Sequence, residues 1–346
     1  MTPETLAARS VAAICELQDS AGAFLAAPCP PQYRNAWLRD GVFVADALSR
    51  AGEREKAEAF FSWCAGVVEA RAAPMARREI LDGRYTLDGQ EVAGAWSGAQ
   101  LDGYGAWVWA LGRHVRRHGV DPAPWRAGAE LSLGYAAACW SLPCFDWWEE
   151  RWGVHTATLA ALYGGLTSAI VAEPWAAEAA KEIKAAVVRD GLVEGRLRAR
   201  LGDGGLDASL IAVATPFGML DPDDPLMLAT VAEIESRLVH AGGVHRHPED
   251  EYYGGGLWLV LAALLGWHYL RSGRPEAARE ELDWVVRAAS PGGELPEQVD
   301  DQLLHPEARA AWLERWGPSA CPLLWSHAMF LTLVLELDAV PVENAA

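Results

Sequence analysis

Acidic residues, in four cases with tryptophan or arginine beside them, recur at six places along this chain, each just before or at the start of an apolar segment of helical period. The six groups are Trp37-Leu38-Arg39-Asp40, Trp96-Ser97-Gly98-Ala99-Gln100-Leu101-Asp102, Trp147-Trp148-Glu149-Glu150, Leu206-Asp207, Arg246-His247-Pro248-Glu249-Asp250 and Glu294-Leu295-Pro296-Glu297. Acids at helix starts often serve only as caps and dipole partners, which explains Asp207. Capping does not explain the neighbouring indoles and guanidinium groups. Rings that stack on the apolar faces of sugars, beside groups that bind hydroxyls, indicate carbohydrate chemistry.

Two of these carboxyls could cleave a glycosidic bond. That reaction needs one protonated carboxyl to expel the leaving oxygen and one ionised carboxyl to act as nucleophile or to activate water. Glu149 stands among Trp147, Trp148 and Trp152, where desolvation would raise its pKa and suit an acid. Glu297 stands in a more polar segment, where we expect it to stay ionised.

The elements that must position these groups are helices. Apolar periodicity predicts about twelve main helices and a short extra one near 306–315, in an all-α fold. The main segments are 3–19, 41–51, 53–72, 99–117, 123–140, 154–171, 174–189, 207–215, 224–240, 255–271, 275–289 and 319–338. Only 79–92 and 193–201 resemble hairpins.

The helical segments differ by alternation. Segments 53–72, 123–140, 174–189, 224–240 and 275–289 carry charge on one face and are predicted to be outer helices. Segments 99–117, 154–171, 255–271 and 319–338 carry less charge and are predicted to be buried on most sides. Twelve helices in this alternation favour six hairpins closed into an (α/α)6 barrel, over one domain spanning 1–346. An open superhelical array is the alternative, but it would carry sequence repeats that this chain lacks.

Composition narrows the class of protein. The 346 residues include 29 basic and 47 acidic side chains, for a net charge of −18. A polyanionic surface repels phosphate backbones and anionic lipid, so nucleic-acid and membrane roles are disfavoured. The first residues lack the pattern of a secretory signal, and no stretch is apolar enough to cross a bilayer, so we expect a cytoplasmic protein. The six cysteines form no CxxC pair and are expected to be buried, reduced and inert.

At this point four motifs, in order, resemble those of glycoside hydrolase family 15, the glucoamylase family. They are the W-x-R-D run at Trp37 to Asp40, the W-E-E run at Trp148 to Glu150, the R-x-P-E-D-x-Y-Y segment from Arg246 followed by Trp258, and Glu297-Gln298-Val299-Asp300 followed by Trp325-Ser326-His327. Together they span nearly the whole chain. The resemblance implies an (α/α)6 barrel, which agrees with the helix count.

The resemblance also implies roles for individual residues. It makes Glu149 the general acid and Glu297 the general base of an inverting exo-acting α-glucosidase that uses one water and no cofactor. An inverting pair should stand roughly 6.5–9.5 Å apart. The implied substrate-binding residues are Arg39 and Asp40 on the 4- and 6-hydroxyls of the terminal glucose, Arg246 and Asp250 in the same pocket, Glu150 beside the acid, and Trp37, Trp96 and Trp148 in the wall. Short α-glucosides of maltooligosaccharide, isomaltose or trehalose type are the expected partners.

Several residues leave alternatives open. Glu294 is a rival base, although a surface position suits it better. Asp102 and Tyr104 could border the pocket. His245 and His247 lack a third ligand at suitable spacing, so no metal is expected, and they are expected at the surface or behind the site. His327 could touch substrate or be structural. Asp224 fits a helix cap.

Other functions remain to be weighed. His247 and the open Gly254-Gly255-Gly256 run depart from the family pattern, so linkage and substrate length do not follow from the resemblance. The alternatives are a trehalase of the same family, a non-catalytic glucan-sensing barrel and a phosphorylase. A phosphorylase would need an anion site where Glu297 stands, and that carboxylate would repel phosphate. Oligomeric state cannot be read from the sequence.

Overall fold

The computed structural model describes residues 1–94, 96, 98–202 and 204–339, and helices dominate this described part. The α-helices are α1 (Pro3–Glu16), α2 (Leu38–Ala51), α3 (Arg54–Glu69), α4 (Ala72–Ala76), α5 (Asp102–His118), α6 (Arg126–Cys139), α7 (Thr156–Leu166), α8 (Pro174–Asp190), α9 (Pro225–Leu238), α10 (Leu259–Arg271), α11 (Pro275–Ala288), α12 (Arg309–Trp316) and α13 (Leu324–Asp338). Short 3-10 helices lie at Pro31–Tyr33, Ala123–Trp125, Ala208–Val213, Tyr252–Gly254 and Pro306–Ala308. The predicted all-α class is confirmed.

Six elements close into an inner ring. In order round the ring they are α2, α5, α7, the 3-10 helix Ala208–Val213, α10 and α13, and α13 packs back against α2. Around them lie α1, α3, α6, α8, α9 and α11, each packed on an inner element. The contact between α13 and α2 closes the barrel, so the predicted (α/α)6 architecture is confirmed and the open array is excluded.

Burial separates the two layers as the apolar patterns predicted. In α2 every residue from Leu38 to Ser49 is buried, whereas α1 buries only Leu6, Ser10 and Ile14. A helix that is apolar around most of its circumference must be covered on most sides, and a helix with one apolar stripe can face water. None of the described helices has the combined length and apolarity needed to span a bilayer.

Five short antiparallel strand pairs lie in the connections between helices. They are β1 (Ala36–Trp37) with β2 (Arg84–Tyr85), β3 (Cys144–Phe145) with β4 (Trp152–Gly153), β5 (Leu192–Val193) with β6 (Arg196–Leu197), β7 (Val239–His240) with β8 (Gly243–Val244), and β9 (Leu257–Trp258) with β10 (Gln298–Val299). The predicted 79–92 hairpin is wrong, because β2 pairs with β1 and meets its own downstream segment only at a single bridge from Tyr85 to Glu91. The predicted 193–201 hairpin exists in the shorter form β5–β6.

Some helix boundaries also differ from the sequence expectation. Segment 207–215 forms a 3-10 helix, and Pro216 directly after it lacks an N–H and disfavours helical geometry in the residue before it. Helix α10 begins at Leu259 rather than near 255, because Gly254 and Gly255 take left-handed conformations and residues 257–258 pair with β10. Helix α13 begins at Leu324, after Pro322.

An aromatic cluster fills the barrel axis below the mouth. The Phe43 ring stacks on Trp325 at 5.6 Å between centroids and meets Trp147 and Trp109 at 6.2 Å and Phe217 at 6.4 Å. Large rings supply much buried apolar area in few side chains. Much of the unusually large set of 17 tryptophans therefore serves the barrel interior and its rim.

A buried charge network closes the opposite end of the ring. Asp46 on α2 accepts hydrogen bonds from Arg50 at 2.9 Å, Arg113 at 3.2 Å and Arg117 at 3.3 Å, and Arg50 also pairs with Glu336 on α13. Burial alone would raise the pKa of Asp46, but the three guanidinium groups hold it well below its usual range. The network joins α2, α5 and α13 at the end away from the predicted active site.

The cysteines are all unpaired within the described residues. Cys64, Cys139 and Cys144 are buried as expected, but Cys15 and Cys321 are only partly buried and Cys29 is exposed. The expectation of burial is therefore wrong for Cys29, which lies in the loop between α1 and β1.

Glycines set the closest approach between inner helices. A Cβ on Gly105 of α5 would lie 2.5 Å from the Cα of Leu162 on α7, and a Cβ on Gly165 would lie 2.4 Å from the carbonyl oxygen of Gly105. These distances are below any van der Waals contact, so the two helices touch backbone to backbone. Close packing of α5 against α7 therefore depends on glycine at both positions.

We predict that Gly105→Ala destabilises the protein by about 1–3 kcal/mol, because the methyl group forces α5 and α7 apart. Gly134→Ala is the matched control, since Gly134 lies on the exposed side of α6, where an added methyl group would meet no atom within 4 Å. It should stabilise by about 0.5–1 kcal/mol, through the higher helix propensity of alanine. Urea unfolding curves give both values, and equal effects in the two variants would contradict the packing argument.

Candidate active site

The six groups identified in the sequence come together at one mouth of the barrel, where the inner elements begin. A cavity of about 70 Å³ opens there and holds both glutamates. Its lining residues are Tyr33, Trp37, Arg39, Asp40, Trp96, Trp147, Trp148, Glu149, Arg246, Tyr252, Trp258, Glu297, Leu323 and Trp325. The predicted meeting of Glu149 and Glu297, which are 148 positions apart in the sequence, is confirmed.

A wider space, which we call the outer groove, continues from the cavity toward solvent. It has a volume of about 560 Å³. Its lining residues are Gln32, Asn35, Arg84, Val92, Ala93, Gly94, Trp96, Trp148, Glu149, Glu150, Tyr252, Trp312, Arg315 and Trp316. Glu149 and Trp148 border both spaces, so a ligand that spans them would cross beside the Glu149 carboxyl.

A tight turn presents Glu149. The pair β3–β4 brackets it, the Glu149 amide donates to the carbonyl oxygen of Asp146 at 3.1 Å, and the Glu150 amide donates to Asp146 Oδ1 at 2.9 Å. Within this turn Glu149 has φ +61°, the left-handed region that residues other than glycine seldom adopt. Backbone strain of this kind persists where surrounding bonds fix it, and it is common at functional positions.

The Glu149 carboxyl has one bonded oxygen and one free oxygen. Oε1 accepts a hydrogen bond from Trp37 Nε1 at 2.6 Å and lies 3.6 Å from Arg39 Nη2, whereas Oε2 is buried without a hydrogen-bond partner among the described residues. Burial raises the pKa of Glu149, while Arg39, the Trp37 hydrogen bond and Arg84 oppose that rise. The expected increase is confirmed, but its expected source is partly wrong, because Trp152 is 48% exposed and packs on Phe145.

Glu297 directly precedes β10, in which Gln298 pairs with Trp258 of β9, and the Glu297 carbonyl oxygen accepts from the Leu259 amide at 3.4 Å. Tyr33 Oη donates to Oε1 at 2.6 Å and Ser319 Oγ donates to Oε2 at 2.9 Å. The expected polar setting is present in the form of two hydroxyl donors, but Glu297 itself is only 3% exposed. Burial raises its pKa to about 6, although both hydrogen bonds lower it. Glu297 is therefore mainly ionised at neutral pH and becomes protonated in mild acid.

Arg39 and Asp40 lie side by side on the floor of the cavity. Arg39 Nη1 donates to Asp102 Oδ2 at 3.2 Å, and its Nε lies 3.5 Å from Asp40 Oδ1. Neither Arg39 Nε nor Asp40 Oδ1 makes a hydrogen bond within the described residues. Burial raises the pKa of Asp40 to about 7 against the effect of Arg39. This pair has unused hydrogen-bonding capacity that ligand hydroxyls could satisfy.

Asp102 and Asp250 occupy positions different from those that the sequence suggested. Neither lines the cavity, because each is buried behind an arginine. Asp102 pairs with Arg39, and Asp250 accepts from Arg246 Nη2 at 2.5 Å and Nε at 2.8 Å. Their placement indicates that they support the arginines rather than touch a sugar directly.

Arg246 links this part of the mouth. Its Nη2 also donates to Glu150 Oε1 at 2.7 Å, and its guanidinium lies over the rings of Trp148, Tyr252 and Trp258 at 4.9–5.2 Å. Burial would raise the pKa of Glu150, but Arg246 and His247 lower it to about 2. Glu150 is thus an ionised acceptor at the edge of the outer groove.

The same cluster contains the three residues of the described part that could together approach a metal ion. Ligand atoms of Glu150, His247 and Asp250 all lie within 4.8 Å of one another. The Arg246 guanidinium bonds both carboxylates there, so each already has a cationic partner within the protein. His245 and His247 are buried rather than at the surface, and His245 Nδ1 bonds the carbonyl oxygen of Gly256 at 3.2 Å.

The remaining alternatives are resolved by position. Glu294 is exposed, as expected for a residue without a catalytic role. His327 is structural, because its Nε2 accepts from the Leu295 amide at 3.1 Å and its Nδ1 bonds Ser10 Oγ at 2.9 Å. Asp224 caps α9, and Tyr104 lies buried against Tyr85, away from the cavity.

Sequence reasoning missed several residues of the site. Tyr252 shares a hydrogen bond with Tyr33 at 2.8 Å, and Trp258 and Trp325 line the cavity; all lie inside the quoted motifs, which could have indicated them. Ser319, Arg84 and the α12 tryptophans lie outside those motifs. A single sequence gives no signal that places them at the mouth.

The mouth of this helical barrel holds paired carboxyls with unlike surroundings, an arginine–aspartate pair with unsatisfied hydrogen-bonding groups, and many indoles. This combination defines a class of protein, the enzymes that hydrolyse glycosidic bonds. Residues 4–289 match the family described as "Glycosyl hydrolases family 15". The chain belongs to this family and is a glycoside hydrolase.

Individual relatives agree with the family assignment. The chain is 42% identical to an isomaltose glucohydrolase of Kribbella flavida, across 97% of this chain and 93% of that protein. It is 30% identical to a trehalase of Mycolicibacterium smegmatis, across 66% of this chain and 40% of that protein. A solved glycosidase structure superposes with a TM-score of 0.94 at 41% identity, with 98% of each chain covered, and a variant of that glycosidase has been solved in complex with glucose.

We predict that Ser319→Ala shifts the acid limb of the activity profile, which is expected near pH 6, to higher pH. The expected shift is roughly one pH unit, because that corresponds to the free energy of one hydrogen bond to a charged group. Loss of the hydroxyl removes a bond that favours ionised Glu297, so its pKa rises and more of it is protonated in mild acid. The pH dependence of kcat/KM measures the limb. Ser319→Thr keeps a hydroxyl and should leave it in place, and an unmoved limb in the alanine variant would contradict this assignment.

Proposed function

We propose that this protein is an inverting, exo-acting α-glucosidase that releases β-glucose from the non-reducing end of short α-glucosides, with isomaltose-type sugars as its substrates. The observation that carries the proposal is the cavity shared by Glu149 and Glu297, whose carboxyls differ in hydrogen bonding. The isomaltose glucohydrolase relative supports the linkage, since it matches along almost the whole of both chains.

Glu149 is proposed as the general acid. Its pKa is raised by burial, and its unbonded Oε2 gives a proton a place from which it can reach a leaving oxygen. As the bond from C1 to the glycosidic oxygen breaks, the oxygen keeps the electron pair and takes the Glu149 proton. The aglycone then departs as an alcohol into the outer groove.

Glu297 is proposed as the general base. A water between its carboxylate and C1 would attack from the face opposite the leaving group and give its proton to Glu297. The bonds from Tyr33 and Ser319 fix both carboxylate oxygens and so orient the group for this role. The anomeric configuration inverts, and proton exchange with solvent restores both glutamates.

The terminal glucose is proposed to sit on the Arg39–Asp40 pair. Hydroxyl groups would satisfy Arg39 Nε and Asp40 Oδ1, which have no other hydrogen-bond partner among the described residues. The indoles of Trp37, Trp96 and Trp148 would form the wall, and Glu150 and Arg246 would bind polar groups at the junction with the outer groove. The aromatic cluster beneath the cavity favours binding of a chain end.

Domain organisation and location are part of the same proposal. The inner ring uses elements from α2 to α13, which supports one catalytic barrel domain over residues 1–346. Six unpaired cysteines are consistent with a reducing compartment, and on that basis we propose a cytoplasmic enzyme.

We predict that Glu149→Gln and Glu297→Gln each lower kcat on isomaltose by about 10²–10⁴-fold, because each removes one partner of the proton transfer while keeping its shape. Glu294→Gln changes an exposed carboxyl three positions from the base and should retain normal turnover. Circular dichroism checks that all three variants fold. Near-normal turnover in either of the first two would show that carboxyl to be misassigned.

We predict that isomaltose is cleaved faster than maltose, panose or trehalose and that the first glucose released is the β-anomer. Proton NMR of the anomeric region reports linkage and stereochemistry in one experiment. Initial α-glucose in excess of the α-anomer that the reducing end of the substrate itself releases would overturn the inverting assignment. Preference for trehalose would favour the trehalase alternative, dependence on phosphate would favour a phosphorylase, and turnover of none would favour the glucan-sensing barrel.

A further inference from the structure

Arg84 is a buried cation in the wall of the outer groove that makes no ion pair with a carboxylate of the described residues. Burial raises the pKa of the nearby Asp82 carboxyl, and the Arg84 charge opposes that rise. Arg84 lies on β2, is 3% exposed, and its guanidinium contacts the indoles of Trp37 at 5.4 Å and Trp96 at 4.9 Å, two rings that themselves meet edge to face at 6.1 Å. Its Nη2 donates to the carbonyl oxygen of Trp96 at 2.7 Å, and its Nε makes no hydrogen bond. Among the described residues no carboxylate lies within 4.0 Å of it.

Packing alone does not explain a charge at this position. Burying a guanidinium without a carboxylate costs free energy that the two ring contacts offset only in part. An apolar side chain of similar length would fill the same space beside the two indoles without that cost. The position therefore gains something from the charge itself.

Glu149 is a group on which the Arg84 charge acts, and it lies one contact away from Arg84. Trp37, one of the two rings that hold Arg84, donates its Nε1 hydrogen bond to Glu149 Oε1 at 2.6 Å. Arg84 and Glu149 also line the same outer groove. Burial raises the pKa of Glu149, and Arg84 is one of the cations, after Arg39, that oppose the rise.

We propose that Arg84 is a positioning residue for the acid step: it packs on the Trp37 ring so that the indole keeps its bond to Glu149, and its charge favours release of the Glu149 proton to the leaving oxygen. The inference rests on the proposed function, in which Glu149 is the acid. Arg84 touches neither reacting bond, so it acts through Trp37 and through the local field.

The role makes a specific demand on the leaving group. A sugar alcohol leaves only if it is protonated, whereas fluoride leaves from C1 with little help from an acid. Loss of Arg84 should therefore slow hydrolysis of isomaltose much more than hydrolysis of α-glucosyl fluoride. A general disturbance of the pocket would slow both to the same extent.

The experiment compares Arg84→Met and Arg84→Lys with the wild-type enzyme on both substrates. We expect Arg84→Met to lower kcat on isomaltose on the order of 10- to 100-fold, within the range that acid catalysis contributes, and to change kcat on the fluoride little. Because the lost charge raises the pKa of Glu149, the alkaline limb of the isomaltose pH profile should move to higher pH. Arg84→Lys keeps the charge and should keep the limb near its wild-type position.

Arg71→Met is the matched control. Arg71 is also buried and lies over a ring, that of Tyr85 at 4.1 Å, but it donates to the carbonyl oxygens of Val67 and Gly89 and lines neither the cavity nor the outer groove. It should keep the wild-type ratio of isomaltose to fluoride turnover and the wild-type limb, whatever its stability.

The outcomes separate the two proposals. Equal losses of Arg84→Met on both substrates, or an unmoved alkaline limb, would overturn the role of Arg84 and leave the proposed function intact. If Arg84→Met does not fold, Arg84→Lys is compared with the neutral variant Arg84→Gln. An alkaline limb that moves as far in Arg84→Lys as in Arg84→Gln would also overturn the role of Arg84. A wild-type enzyme that cleaves neither substrate would overturn the proposed function, and the inference with it.

Discussion

The Arg39 guanidinium is the interaction on which the mouth of the barrel depends. It stands in the first turn of α2 and contacts Asp40 beside it, Asp102 at the start of α5 and Glu149 in the turn before α7. Three successive inner connections thus converge on one cation. A buried carboxyl without a nearby positive charge would take up a proton, so the placement of this arginine sets both the shape of the pocket and the charge states within it.

The two glutamates show how one small space keeps two carboxyls distinct. Both are buried, and burial raises the pKa of each. Glu297 receives hydrogen bonds on both oxygens, which favours its ionised form, while Glu149 receives one bond and keeps a bare oxygen. The difference lies in which donors the surrounding loops supply, since the degree of burial is similar. Short strand pairs before the inner helices fix those loops, as β9–β10 does for Glu297.

Much of the fold and of the site could be predicted from the sequence, and the correct and the wrong predictions both have physical reasons. Helical period and charge alternation report burial directly, so the layers of the barrel were predictable, and the ordered motifs indicated Glu149, Glu297 and Arg39. The pairing of β1 with β2 brings Arg84 to Trp37. Each of these strands has only two residues, so no local sequence pattern predicts the contact. Trp152 was misplaced for a related reason: adjacency to Glu149 in sequence says little about side-chain direction in a strained turn. The burial of Glu297 follows from packing around it, which its polar neighbours in sequence conceal.

The rings stacked beneath the cavity have one more consequence. Phe43, Trp147 and Trp325 pack together across the axis of the barrel, so within the described residues the cavity above them opens toward solvent through the outer groove. A ligand that enters the cavity must leave by the same route, and a second ligand can enter only after the first has left. The cavity therefore takes one ligand molecule at a time, and a ligand that stays bound at its bottom blocks the next one.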